Sequence, residues 1–320
     1  MVTEDEADAG EEDRYRRRVR SPLPVRDGLN PSRIRLPESG HWATTLEYLC
    51  QRFPDDEVRV REKVATGEVL AQDGTVIAAD TPFVPDAFVF LYRDPAPEQR
   101  VPFEIGILHR DDSLLVIDKP HFLATMPRGF YIVESALVRL RRDLDLPDLS
   151  PLHRLDRVTA GVLMFSLRPA ERGAYQQMFA HRKVTKYYEA VARHDPELAF
   201  PRTVRSRIVK ERGTPTADEV FGEPNAETHI ELLDVRGDDA LYGLHPATGK
   251  IHQLRLHMAS LGLGIRNDHF YPRFDDVPPY DYSTPLQLLA KSVSFTDPIS
   301  GRPREFTSAL TLSCWAQATG

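Results

Sequence analysis

The sequence predicts an α+β chain: a mixed, largely antiparallel β-sheet domain with flanking helices, preceded by a small N-terminal element. Three observations predict it. Strand-like and helix-like stretches do not alternate strictly, which argues against a doubly wound parallel sheet. Two apolar runs, HIELLDVRG (229–237) and DALYGLHPATG (239–249), suggest an antiparallel pair. A Pro-containing stretch, DPAPEQRVPFE (94–104), reads as a linker between a short unit and a long one.

Three segments follow in order. Residues 1–40 form a charged, extended tail, residues 41–97 a small accessory element, and residues 98–320 the main domain. Residues 21–40 are rich in Pro and Gly and read as an extended lead-in. From Trp42 to Phe53 the spacing is helical, with Leu46, Leu49 and Phe53 on one face. GEVLAQDGTVIAAD places two short apolar runs around Asp73-Gly74, a hairpin signal, and FVFLYR (88–93) reads as a strand. In the larger unit, ILHRDDSLLVIDKP gives a strand, a turn at Asp111-Asp112 and a second strand that Pro120 stops. SALVRLRRDL (135–144) and residues 170–182 have helical spacing, the latter with Tyr175, Met178 and Phe179 on one side. TKYYEAVA (185–192) reads as a strand. IHQLRLHMASLG is expected to start as one, with Gln253, Arg255 and His257 on one face and His252, Leu254 and Leu256 on the other.

The chain has 320 residues, of which 41% are hydrophobic, enough for a sizeable core. No apolar run reaches the roughly 18 residues a membrane helix needs, and no secretory signal is read. Two cysteines, Cys50 and Cys314, make neither a disulfide framework nor a zinc site and suit a reducing cytoplasm. The net charge of −7 is concentrated in seven carboxylates within residues 1–13, so the rest of the chain is balanced. Eight arginines within residues 14–35 face Asp27 alone. This arm has the charge to touch phosphates, or is simply a solvated tail. Charge therefore neither supports nor excludes a nucleic-acid partner.

The most informative segment is His153-Arg154-Leu155-Asp156-Arg157-Val158-Thr159-Ala160-Gly161, followed by the apolar VLMFS. Two guanidinium groups flank one carboxylate, which is an arrangement for orienting a nucleophile or a base. A surface ion-pair cluster in a loop fits the same pattern. The segment HRLDRVTAG resembles the signature HRLDRxTSG of the RluA family of pseudouridine synthases. Further motifs follow in that family's order: ILHRDDSLLVIDKP, Lys186-x-Tyr188-x-Ala190, His245-Pro246-Ala247-Thr248-Gly249-Lys250-Ile251-His252-Gln253-Leu254-Arg255-Leu256-His257, and LLAKSVSFTDPISG (288–301). The resemblance spans residues 105–312.

The resemblance implies an isomerase that converts uridine in structured RNA to pseudouridine. Ribosomal RNA is weakly favoured over transfer RNA, and the chain is taken as a cytoplasmic monomer needing no cofactor and no metal. It implies Asp156 as the nucleophile. Tyr188 would pack under the target base and help remove the C5 proton. Arg255 would pair with Asp156 through both arms of its fork, and Arg154 would fill the stack when the base flips out. Arg157, Lys250, His252 and Gln253 are expected to contact RNA, while His153 is expected to be a structural hydrogen-bonding residue. The sequence departs from the pattern at Ala160 (Ser is usual), Lys250 (Arg) and Leu289 (His). LGLGIRNDHFYP replaces a segment of the form G-x-P-I-x-G-D-x-x-Y, with Asp268 in line with its Asp. Residues 41–93 sit where family members carry an S4-like RNA-binding module. They lack a dense basic helix, so a degenerate S4-like fold and a plain accessory element are both open. The competing functions are a non-catalytic RNA-binding protein on the same fold and an aspartate-dependent hydrolase. The hydrolase needs a second base near Asp156, and no His or carboxylate stands at a convincing spacing in the sequence.

Overall fold

The computed structural model describes residues 20–316. The acidic run of residues 1–13 and the first arginines of the basic arm lie outside them. The chain divides into two compact units, residues 1–96 and 97–320.

The first unit is a three-stranded antiparallel sheet with two helices. In order it runs β1 (Ser32–Arg35), α1 (Thr45–Arg52), α2 (Glu57–Ala65), β2 (Leu70–Ala71) and β3 (Phe88–Leu91). β3 lies between β1 and β2. The Thr44 side chain caps α1 by accepting from the Glu47 N–H, and Glu47 accepts from the Ala43 N–H. This is close to a capping box. Leu46, Leu49, Val60, Val64, Val89 and Leu91 fill the core. Two expectations change here. The lead-in is not all tail, since Ser32–Arg35 pairs with β3 and Leu36 is buried. The Asp73-Gly74 turn forms, but its hairpin shrinks to a Leu70–Val76 bridge, because β2 takes β3 as its strand partner. Helix α2 carries little helical signal in the sequence, because charges of both signs surround the buried pair Val60 and Val64.

The second unit is built on one 11-stranded sheet. Its elements are β4 (Gly106–Arg110), β5 (Leu114–Lys119), α3 (Ala136–Asp143), β6 (Ser150–Pro151), β7 (Ala160–Ser166), α4 (Pro169–Ala180), β8 (Val184–Arg193), β9 (Arg202–Val209), β10 (Asp218–Val220), β11 (Ala226–Arg236), β12 (Asp239–Pro246), α5 (Gln253–Ser260), β13 (Leu288–Thr296) and β14 (Pro303–Thr307). The strand order is β10-β9-β11-β12-β8-β13-β7-β5-β4, with β14 added beside β13 and β6 beside β7. Every pairing is antiparallel except β13–β7. That is the mixed, largely antiparallel sheet the sequence predicts. β7 is buried along its whole length, as an apolar run flanked by neighbours should be. α3 and α4 fall where helical spacing puts them, with Tyr175 and Met178 buried.

One element is corrected. Gln253–Ser260 is a helix, not the start of a strand. Gln253 to Met258 are all buried, so no polar face marks the helical period. Alternating Leu and polar residues then imitate a strand. The run holds no β-branched residue and favours helix intrinsically. The two-face assignment of residues 252–257 falls with it.

Candidate active site

The loop between β6 and β7 presents Asp156. It is fixed from behind. The Thr125 hydroxyl donates to the Leu155 carbonyl at 2.8 Å and accepts from its N–H at 3.1 Å. Nζ of Lys119, a fully buried lysine, donates to the carbonyls of Pro120, Leu123 and Arg157 at 2.9, 2.8 and 3.2 Å. Burial pulls this amine down to about 7, yet three acceptors match the three protons of an ammonium. His121 Nδ1 donates to the Val158 carbonyl at 2.7 Å. The Thr159 N–H closes a turn onto the Asp156 carbonyl at 3.1 Å. Leu155, on one side of Asp156, is anchored in the core. Gly161 ends the loop with φ 112°, where a Cβ would stand 2.2 Å from the Ala290 carbonyl oxygen. Only glycine lets β7 and β13 meet there. Asp156 is thus left half-buried and facing outward while the backbone on both sides of it is tied down.

Two cavities meet at Asp156, of about 500 and 290 Å³. Both are lined by Arg154, Leu155, Asp156, His252 and Arg255. The larger adds Tyr188, Arg182, Lys186 and Lys250, and the smaller adds Phe122, Tyr131 and Phe270. Arg255 projects from α5 and is buried. Its Nη1 lies 3.5 Å from Asp156 Oδ2. Its fork, however, grips Asp268, with Nε to Oδ2 at 2.8 Å and Nη2 to Oδ1 at 2.6 Å. Asp268 also accepts the N–H groups of Phe270 and Tyr271. Burial opposes the charge on Arg255, and the bonds to Asp268 outweigh it. His252 Nε2 lies 3.8 Å from Asp156 Oδ2. Tyr188 lies on β8 beside the site. Burial first, and then the Asp156 carboxylate, push its phenol well above the usual range. Among the described residues no group of three or more His, Cys, Asp or Glu side chains could hold a metal ion. No helix among them is long and apolar enough to cross a membrane.

Residues 113–260 match the family model described as RNA pseudouridylate synthase. The dual-specificity RNA pseudouridine synthase RluA of Escherichia coli is 30% identical over 214 residues, covering 62% of this chain and 90% of that protein. This chain belongs to the RluA family of RNA pseudouridine synthases. An uncharacterized RNA pseudouridine synthase of Synechocystis is 27% identical over 230 residues, covering 71% of this chain and 78% of that protein. The solved structure of human RNA Pseudouridylate Synthase Domain Containing 4 superposes with a TM-score of 0.50 at 27% identity, covering 64% of this chain and 88% of that one. The chain is therefore an isomerase of this class.

Within this synthase the structure brings Asp156, Arg154, Arg255, His252, Tyr188 and Lys250 to one place. Arg157 lies to one side, over the Tyr131 ring at 4.7 Å. Three expectations change. Arg255 meets Asp156 with one nitrogen, because Asp268 takes the fork. Gln253 is buried, and its amide is consumed internally: it accepts from Thr248 Oγ1 and the Lys250 N–H and donates to the Glu227 carbonyl and Thr228 Oγ1. It shapes the entry to α5 and offers RNA nothing. Tyr188 is a protonated phenol at neutral pH, which suits packing against a base better than removing a proton. His153 accepts from the Met164 N–H at 3.1 Å and stacks on Phe179, in the structural place expected of it. Burial lowers it to about 3. The residues that sequence reasoning missed are Thr125, Lys119 and Tyr271. Lys119-Pro120 and the Asp268-x-x-Tyr271 spacing carried the only signal for two of them. Ala160 and Leu289, where the sequence departs from the pattern, are core residues.

Proposed function

We propose that this synthase isomerises specific uridines in structured RNA, with ribosomal RNA weakly favoured over transfer RNA, and that Asp156 is its nucleophile. The observation that carries the reading is the presentation of Asp156: a carboxylate on a clamped loop, between two cavities, 3.5 Å from a buried arginine that a second carboxylate locks in place. A fixed backbone and a fixed counter-charge pre-organise a nucleophile.

In this reading the target nucleotide leaves its stack and enters the larger cavity. Asp156 attacks the ribose or the base, the glycosidic bond breaks, and the base turns and rejoins through C5. Arg255 keeps the carboxylate charged and oriented. Arg154 is exposed at the rim, and its planar group fills the gap that the flipped base leaves. Tyr188 supports the ring as a neutral phenol. Lys250 and Arg157 neutralise phosphates near the target, and His252 faces the reacting nucleotide rather than the RNA backbone.

Pseudouridine should be mapped in the RNA of cells with and without this chain, then with Asp156→Asn restored. The reading expects at least one site to vanish, to return with the intact chain and to stay absent with the variant. A full set of sites in all three cases would favour a non-catalytic RNA-binding role instead.

A further inference from the structure

Forming the C1′–C5 bond leaves C5 with a hydrogen that must go before pseudouridine exists. Tyr188 is a poor acceptor, because its phenol keeps its own proton. His252 is placed differently. It sits at the N-terminus of α5 with a left-handed backbone, φ 58°, and its ring borders both cavities at Asp156.

The hydrogen bonds fix its tautomer. Nδ1 lies 2.9 Å from the Tyr271 hydroxyl. That hydroxyl accepts from the Ala217 N–H at 2.7 Å and lies 2.8 Å from the Ala217 carbonyl oxygen. A phenol has one hydrogen to give. Giving it to Nδ1 would strip the carbonyl of a fully buried residue of this bond, which is costly. The hydroxyl therefore donates to Ala217, and Nδ1 carries a hydrogen and donates to Tyr271. In a neutral imidazole the lone pair is then on Nε2. Burial holds His252 below its ordinary range, against the opposing pull of Asp156. The charged groups that act on it are Asp156, Arg255, Asp268 and Lys210. The Nε2 lone pair and the Asp156 carboxylate thus face one another 3.8 Å apart, two acceptors around one point.

We propose that His252 is a catalytic base of this reaction, taking the C5 proton of the rejoined uracil through Nε2. The assignment rests on Asp156 acting as proposed above. In the step, the C5–H bond breaks, its electron pair restores the C5–C6 double bond, and the C6–N1 double bond of the rejoined ring gives its pair to N1. The proton moves to Nε2, and the imidazolium forms beside the Asp156 carboxylate. One proton leaves C5 and one reaches N1 through His252 or water, so no other reactant is required.

The test uses His252→Asn and His252→Gly in the full chain. Both residues accept a left-handed backbone. Asn keeps an N–H near the Nδ1 position but places nothing where Nε2 was. Single-turnover pseudouridine formation should fall by about a hundredfold or more with Asn, with RNA binding retained. RNA deuterated at uridine C5 should then react more slowly still. Wild-type activity should decline as pH falls through the His252 titration, and the Asn variant should lack that acid limb. Added imidazole should partly restore the Gly variant, which also shows that it folds. An Asn variant within about threefold of wild type, or one with no isotope effect and an unchanged acid limb, would overturn the assignment. So would a Gly variant that imidazole leaves inactive. Asp156→Asn separates the two claims: if it is active, the nucleophile reading fails, and if it is inactive while His252→Asn is active, only the role of His252 fails.

Discussion

The surface of the first unit and the Asp156 cleft of the second treat their cations differently. In the first, several of the described cations are matched at home. Arg35 meets Asp86 at 2.8 Å, Arg61 meets Glu57 at 2.7 Å, and Lys63, itself buried, meets Asp94 at 3.0 Å. Arg59 pairs with both Glu62 and Asp94. In the second unit the larger cavity is lined by Arg154, Arg182 and Lys250, and none of these has a carboxylate within ion-pairing distance among the described residues. A cation already paired gains little from a phosphate, whereas an unpaired one releases counterions when RNA arrives. We therefore expect the electrostatic work of RNA binding to fall at the cleft around Asp156. We read residues 41–93 on that contrast as an accessory element rather than an S4-like module. Inside the cleft one pair is nonetheless closed, Arg255 with Asp268, and its closure is what leaves a single guanidinium nitrogen for Asp156.

The strongest way to break that contrast is to open the closed pair. Asp268→Ala leaves a guanidinium buried without its partner, and the second unit should lose about 3–5 kcal/mol in chemical denaturation. The freed arginine no longer holds Asp156 in place, so the single-turnover rate should fall by about a hundredfold. Stability unchanged within 1 kcal/mol or so would mean that the pair is not what locks the site.

A smaller effect is expected at the rim. Arg154→Ala should slow isomerisation by about tenfold to a hundredfold when the uridine is held in a stem, since extrusion costs a few kcal/mol. It should recover appreciably when the same uridine is in an open loop. Arg255→Ala should be equally impaired on both. If the two variants respond alike to loop placement, Arg154 is a phosphate contact, and lower salt should relieve its defect instead.

The smallest changes concern affinity alone. Lys250→Ala should weaken RNA binding across sequences and reduce the slope of log affinity against log salt by about one. Arg59→Ala, in the first unit, should leave affinity within about twofold and the slope unchanged. Reversed results would move the RNA-binding surface to the first unit.

Much of the fold was legible. β5 and β7 announce themselves as apolar runs, α1, α3 and α4 by spacing, and β11 with β12 as an antiparallel pair. β9 does alternate, with Val204, Ser206 and Ile208 against Thr203, Arg205 and Arg207, but arginines on its open face mask it. β10 is exposed along its length and carries no pattern. α5 misled because a helix buried on all sides has no polar face to read. In the site, Asp156, Arg154 and Lys250 could be named from motifs. The partner of Arg255 could not, because Asp268 reaches it through a turn of the chain rather than by spacing. The closeness of His252 to Asp156 likewise depends on the helix that the sequence concealed.

The central claim, that Asp156 performs the chemistry, is tested most directly by tritium release from C5-labelled uridine in RNA, comparing wild type with Asp156→Asn. The amide is nearly isosteric and cannot act as an anionic nucleophile. The variant should fold and bind RNA as wild type does, yet release tritium at less than roughly a thousandth of the wild-type rate. Release above that level by a pure, folded variant would contradict the account.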